Sequence, residues 1–237
     1  MPISKNAFIF FLTSICFACQ QQKPKTEPTV IPKDIHSFSK PNEARVTNLH
    51  WKARVDFDKK IIICVASWDI LPSANATQII FDTKNLTIEK IILNETEPAT
   101  FNLSKEIPVF GQSLEVSIKP TTNKVTIYYQ TSPDAEAVQW LTPQQTSGKK
   151  YPFLFTQSEA ILARSWIPCQ DSPGVRFTYT ADVTVPKELL ALMSASNPQV
   201  KNESGLYHFE MKQPIPSYLL ALSVGDVSFK GTSNNSI

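Results

Sequence analysis

A chain of 237 residues can bury one large core or two small ones, and 42% apolar with 19% charged residues is an ordinary globular composition. A net charge of +2, with Lys and Arg scattered and not striped, gives no electrostatic footprint for a nucleic-acid partner. Only 6 glycines stand against 18 prolines, so the turns must lean on Pro, Asn, Asp and Ser, each of which presets or tolerates turn geometry.

Residues 1–19 read as an export signal. Lys5 supplies the positive start, Ala7 to Ile15 is almost wholly apolar, and Cys16-Phe17-Ala18-Cys19 follows. That run is too short to span a bilayer and suits the apolar region of a signal peptide. Ala18 before Cys19 resembles a bacterial lipobox, in which the cysteine is lipidated and becomes the first mature residue. Cys16 stands where Leu is usual, and an ordinary secretory signal cleaved nearby is the alternative. Residues 20–36 are polar and Pro-rich at their start, the composition of a tether between membrane and domain. The expected location is the bacterial cell envelope, as a periplasmic or outer-membrane lipoprotein held by lipid burial and not by spanning.

From residue 37 onward, period-two alternation dominates. Leu49, Trp51, Ala53, Val55 and Phe57 alternate with His50, Lys52, Arg54, Asp56 and Asp58, which predicts a half-buried antiparallel strand. Weaker copies occur at Leu114-Val116-Ile118 and Val125-Ile127-Tyr129. Phe177, Tyr179, Ala181, Val183 and Val185 repeat the first pattern strongly. Continuous apolar runs at Ile61–Ala66, Gln78–Phe81, Ile88–Leu93 and Tyr218–Val224 predict strands buried on both faces. Asn202-Glu203-Ser204-Gly205 reads as a hairpin loop joining Leu192–Ala195 to Leu206–Met211. The prediction is an all-β fold of at least ten strands with at most short helices, arranged as a sandwich or partly closed sheet in one domain over residues 37–237.

Self-contained catalytic chemistry is hard to find. The three histidines, His36, His50 and His208, are not within helical reach of one another, and HExxH, GxSxG, P-loop, Rossmann and CxxC patterns are absent. His50 and His208 fall on solvated strand faces. Cys64 lies in an apolar run and reads as a small buried hydrophobe, so a bridge to Cys169 is not expected although export would permit one.

The informative segment is Val138 to Pro173. It carries Trp140-Leu141-Thr142-Pro143, Thr146-Ser147-Gly148-Lys149, Pro152-Phe153-Leu154-Phe155-Thr156-Gln157-Ser158-Glu159-Ala160 and Ala163-Arg164-Ser165-Trp166-Ile167-Pro168-Cys169-Gln170-Asp171. This stretch resembles the leukotriene A4 hydrolase branch of the aminopeptidase N-type zinc peptidases. The likeness continues through Val185-Pro186-Lys187-Glu188-Leu189, Ala191-Leu192-Met193-Ser194-Ala195 and Pro214-Ile215-Pro216-Ser217-Tyr218-Leu219. Upstream, Asp82-Thr83-Lys84-Asn85-Leu86-Thr87-Ile88-Glu89-Lys90 belongs to it too. The resemblance covers roughly residues 35–230 and implies the saddle-like amino-terminal β-domain of such an enzyme. The family's zinc ligands and general base lie in a following catalytic domain, beyond Ile237. Zinc is therefore expected there and not in this chain, which is expected to be inactive alone.

The resemblance also implies that Gln157 and Glu159, with Ala160, help hold the free α-amine of a peptide. Animal hydrolases often have Gln where Glu159 stands, and Glu is usual in plain aminopeptidases, which favours peptide substrates over a lipid epoxide. The chemistry is reasonable: a carboxylate closing a cleft acts as a ruler, binding a protonated amine at fixed distance from the scissile carbonyl. In extended backbone, Gln157 and Glu159 share a face. A competing reading makes Thr156-x-x-Glu159 a capping box opening a short helix through Ala163. Arg164 and Asp171 read as a structural brace for this loop, and Phe153, Phe155 and Trp166 as core or interface aromatics. The implied partners are a peptide amino terminus, a zinc-peptidase catalytic domain and the membrane. The alternatives are a surface-anchored, non-catalytic peptide-binding or scaffold module, or an inactive truncated fragment.

Overall fold

The computed structural model describes residues 30–231, so the export signal and Cys19 lie outside the described residues. The strands run β1 Ala44–Asp56, β2 Ile61–Pro72, β3 Gln78–Thr83, β4 Thr87–Leu93 and β5 Glu97–Pro98. Next come β6 Phe101–Leu103, β7 Gln112–Ser117, β8 Lys124–Gln130, β9 Val138–Leu141 and β10 Phe153–Thr156. Last are β11 Arg176–Thr184, β12 Leu190–Met193, β13 Leu206–Pro216 and β14 Leu222–Gly225. Helical structure among the described residues is limited to 3₁₀ turns at Pro143–Gln145, Ala163–Ser165 and Ser217–Leu219. The all-β prediction therefore holds.

Three sheets form: β13-β11-β1-β2-β8-β4-β5, β12-β14-β10-β9 and β3-β7-β6. The alternation in β1 has the expected cause. Leu49, Trp51, Ala53 and Val55 are buried, while Lys52 and Arg54 between them are exposed. Among the described residues pairing is antiparallel except at one place: β1 lies parallel to β11, with Trp51 opposite Ala181. Sequence patterning cannot distinguish the two modes here. The chain passes through β2 to β10 before returning, so no tight turn dictates the direction.

Three expectations need correction. β12 does not pair with β13: it joins β14 in the four-stranded sheet, and β13 pairs with β11 in the large one. The turn at Asn202–Gly205 is real, with the Gly205 N–H donating to the Asn202 carbonyl at 2.9 Å, but it feeds the chain from one sheet into another. The runs Ile61–Ala66 and Ile88–Leu93 are not buried on both faces. Ile63, Val65 and Ile92 stay half-buried on the open face of the large sheet, and Ile88 is half-buried at the edge of the core. Residues 31–36, included in the tether, are held on the domain: Ile31 and Asn42 exchange hydrogen bonds of 3.0 and 2.8 Å.

The core is built on three fully buried tryptophans. Trp51 and Trp166 meet edge-to-face at 5.4 Å, and Trp68 meets Phe177 the same way at 4.8 Å. Each indole N–H has a partner: Trp51 donates to the Tyr129 hydroxyl, Trp68 to the Pro168 carbonyl and Trp166 to the Ser158 hydroxyl. Tyr129 donates onward to the Trp166 carbonyl at 3.0 Å. These bonds fasten residues 158–168, which have little regular structure, onto the large sheet.

Arg164 is the charged centre of this packing and is wholly buried. Its Nε donates to Asp171 Oδ2 at 3.0 Å, and its two Nη atoms donate to the Phe110 and His36 carbonyls at 2.8 Å each. Asp82 Oδ2 lies 3.9 Å away and accepts from the Ser37 hydroxyl and the Asp171 N–H, while Oδ1 accepts from the Phe38 N–H. Burial pushes the Asp82 carboxyl above its ordinary range, against the pull of Arg164 and these donors. A value raised by folding shifts Asp82 toward protonation relative to the unfolded chain. Its contribution is greatest below the unfolded pKa and is lost as pH rises through the folded one. The node is thus a device for specificity more than for net stability at neutral pH. Arg164→Met leaves two buried carboxylates without their cation, and urea unfolding should show a loss of about 3–5 kcal/mol. A loss below about 1 kcal/mol, the worth of a surface pair, would contradict this account.

Candidate functional site

The strand β10 ends at Thr156, residues 157 and 158 have no regular structure, and a turn begins at Glu159. Gln157 and Glu159 are exposed while Ser158 between them is buried. Ser158 is the peg. Its hydroxyl accepts from Trp166 Nε1 at 3.1 Å and donates to the Leu220 carbonyl at 3.1 Å. The Gln157 N–H donates to the Ala137 carbonyl at 2.8 Å, and Gln157 Oε1 accepts from the Glu159 N–H at 3.0 Å. Ala160 is exposed, and the Glu159–Ala160 peptide is cis.

The capping-box reading does not survive. The Thr156 hydroxyl accepts from the Leu222 N–H at 2.9 Å, across the sheet, and no α-helix follows. Residues 159–162 form a turn closed by the Leu162 N–H on the Ser158 carbonyl at 2.9 Å, and the 3₁₀ turn carrying Arg164 comes next. Among the described residues the Glu159 carboxylate makes no hydrogen bond or ion pair. It is an exposed side chain on a fastened backbone.

Other candidates resolve as structural or solvated groups. His36 stacks on Phe110 with ring centroids 6.0 Å apart. His50 and His208, with side chains 40% and 65% exposed, flank Asp182: His208 Nδ1 is 2.8 Å from Oδ1 and His50 Nε2 is 3.7 Å from Oδ2. This cross-strand grouping escaped the sequence because β1, β11 and β13 are far apart in the chain. Among the described residues no group of three or more His, Cys, Asp or Glu side chains is placed to hold a metal, so these residues do not fit a zinc centre. Arg164 and Asp171 pair as a brace, and Trp166 is core, but Phe153 is half-buried and Phe155 is 38% exposed.

The fold and this loop define a class. A family model described as the Peptidase M1 N-terminal domain matches residues 43–219, and the chain belongs to that family. It is 40% identical over 203 residues to leukotriene A-4 hydrolase of Xenopus laevis, covering 81% of this chain and 33% of that protein. It is 32% identical over 211 residues to leucine aminopeptidase 2-2 of Scheffersomyces stipitis, covering 88% and 32%. The structure of yeast LTA4 hydrolase in complex with bestatin superposes with a TM-score of 0.75 at 28% identity, over 85% of this chain and 32% of the other. An M1 zinc metallopeptidase of Deinococcus radiodurans shares the fold, with a TM-score of 0.60 at 19% identity over 77% and 42%. The chain spans about a third of the length of the curated relatives it matches.

Cys64 and Cys169 are free and buried, and burial pushes both thiols well above their ordinary range. A thiol so raised has almost no thiolate at neutral pH. Both should react with Ellman's reagent at least about 100-fold more slowly in the native protein than in 6 M guanidinium. Rapid modification of either in the native state would show that its pocket opens to solvent.

Proposed function

We propose that this chain serves as the amino-terminal portion of a zinc aminopeptidase and supplies the contact for the α-amine of a peptide. The observation that carries the reading is the fastened Gln157-Ser158-Glu159 segment, with an exposed carboxylate and amide, in a chain of the M1 family. Glu159 accepts the ammonium hydrogen bonds. Gln157 already holds the Glu159 N–H and keeps its amide N–H₂ to offer. The metal and the groups that activate water belong to the portion of the relatives outside the match, and no step involving them is assigned to these residues. A scaffold or stand-alone peptide-binding module is the weaker reading, because the family is one of peptidases.

The test joins this domain to the remaining portion of its Xenopus relative. Glu159→Ala should lower kcat/KM for an aminoacyl-arylamide by about thirty- to a thousandfold, equivalent to about 2–4 kcal/mol, with Glu159→Gln intermediate. The melting temperature should not move, since the carboxylate caps nothing. Unaltered kinetics would remove Glu159 from the substrate site.

The envelope location belongs to the same proposal and rests on Ala18-Cys19 and the polar residues that follow. Wild-type protein expressed in a bacterial host should partition with membranes and carry lipid mass, and Cys19→Ser should be released. A soluble wild type without lipid would exclude the anchor.

A further inference from the structure

The open face of the large sheet carries a row of side chains drawn from four adjacent strands. Across β4, β8, β2 and β1 it reads Lys90, Tyr128, Val65 and Lys52, each opposite the next in register. Lys90 Nζ stands over the Tyr128 ring, 4.4 Å from its centroid, and this contact holds the ammonium in place. A second row, Ile92, Thr126, Ser67 and His50, runs beside the first, and the Thr126 hydroxyl donates to Ser67 Oγ at 3.1 Å. A groove of about 480 Å³ follows the two rows, lined by Lys52, Val65, Ser67, Ile92, Thr126 and Tyr128. Its charges are unevenly matched. Lys124 lies 3.5 Å from Asp69 and 3.7 Å from Glu95, and Arg54 lies 4.0 Å from Asp56. Asp182 is opposite Lys52 in register, but it is taken by His208 and His50 at 2.8 and 3.7 Å. Among the described residues Lys52 and Lys90 are thus left without an ion pair, one on each side of an apolar and aromatic strip.

We infer that this row binds an extended acidic peptide, with one carboxylate on Lys52, a second on Lys90 and an apolar side chain between them. Charge complementarity and spacing carry the inference. Lys52 and Lys90 are three strand intervals apart, about 14 Å at the usual separation of paired strands. Residues i and i+4 of an extended peptide are about 13 Å apart and project from the same face, with residue i+2 midway between them. That middle side chain falls on Val65 and the edge of Tyr128. The matching sequence is therefore acidic-x-apolar-x-acidic. A sugar is the poorer occupant, because stacking needs an open ring face and Lys90 covers the one that Tyr128 presents. None of these groups takes part in the proposed amine contact, so the face stands or falls independently of Glu159.

Fluorescence polarisation tests this with the full chain and an amino-terminally labelled peptide containing Glu-Ser-Leu-Ser-Glu. Binding at low salt should saturate. Lys52→Glu and Lys90→Glu should each weaken it at least about tenfold, because each sets a like charge against one carboxylate. Lys52→Arg should retain binding, and high salt should abolish it. Glu-Ser-Leu-Glu, whose carboxylates project to opposite faces of an extended chain, should bind at least about tenfold more weakly. Lys212→Glu makes the same charge change on β13, away from the row, and should leave the affinity unaltered. All three Lys→Glu variants should keep the wild-type melting temperature, since these lysines are exposed. Absence of saturable binding up to about 1 mM protein overturns the inference. So does binding that Lys52→Glu and Lys90→Glu leave intact, or equal affinity for the two peptides. Tighter binding of polygalacturonate, lost in the same variants, would give the row to an acidic glycan and overturn the peptide assignment.

Discussion

The structure depends on how a fully buried guanidinium is satisfied. Taken from water without partners, a charge of this kind would cost several kcal/mol, and a single opposing carboxylate repays only part of that. Arg164 instead gathers Asp171, the carbonyls of His36 and Phe110, and the field of Asp82. Because its partners come from four separate segments, those segments can meet in only one way. The chain before β1, the turn ahead of β7, the end of β3 and the long connection into β11 are brought to a common point. A hydrophobic cluster of the same volume would hold them together with less discrimination among registers.

Function follows from where that point lies. Arg164 stands five residues after Glu159, and Trp166 two residues further on. The Trp166 indole reaches back to Ser158, whose hydroxyl also reaches the Leu220 carbonyl. The polar pair is therefore held by a buried residue between its members, and the exposed side chains need no contacts of their own to stay in place. The backbone is fastened on both sides of Ser158, while the Glu159 carboxylate is left exposed.

How far the sequence discloses this varies by residue. The alternation from Leu49 to Phe57 is strong enough to assign β1, because its buried face is contiguous with one core. The extended reading of Gln157 to Glu159 carried less far, since a turn begins at Glu159. Other features depend on contacts between distant segments and leave no local trace. The parallel entry of β11 beside β1 is one, and the diversion of β12 into a second sheet is another. Thr156-x-x-Glu159 shows the limit well. Its spacing suits a helix cap, but the Thr156 hydroxyl is taken by the Leu222 N–H from β14, a partner sixty-six positions away. Likewise Arg164 and Asp171 suggested a pair, whereas the contribution of Asp82 and of the His36 and Phe110 carbonyls required the fold.

The central claim is that the Glu159 carboxylate reads a positive charge on the substrate. Its most direct test is a specificity ratio in the joined enzyme: kcat/KM for an aminoacyl-arylamide divided by that for the analogue lacking the α-amine. The account predicts a large ratio for wild type that collapses by about two orders of magnitude in Glu159→Ala, because the variant loses only what the amine supplied. A ratio that Glu159→Ala leaves unchanged would contradict the account and place amine recognition elsewhere.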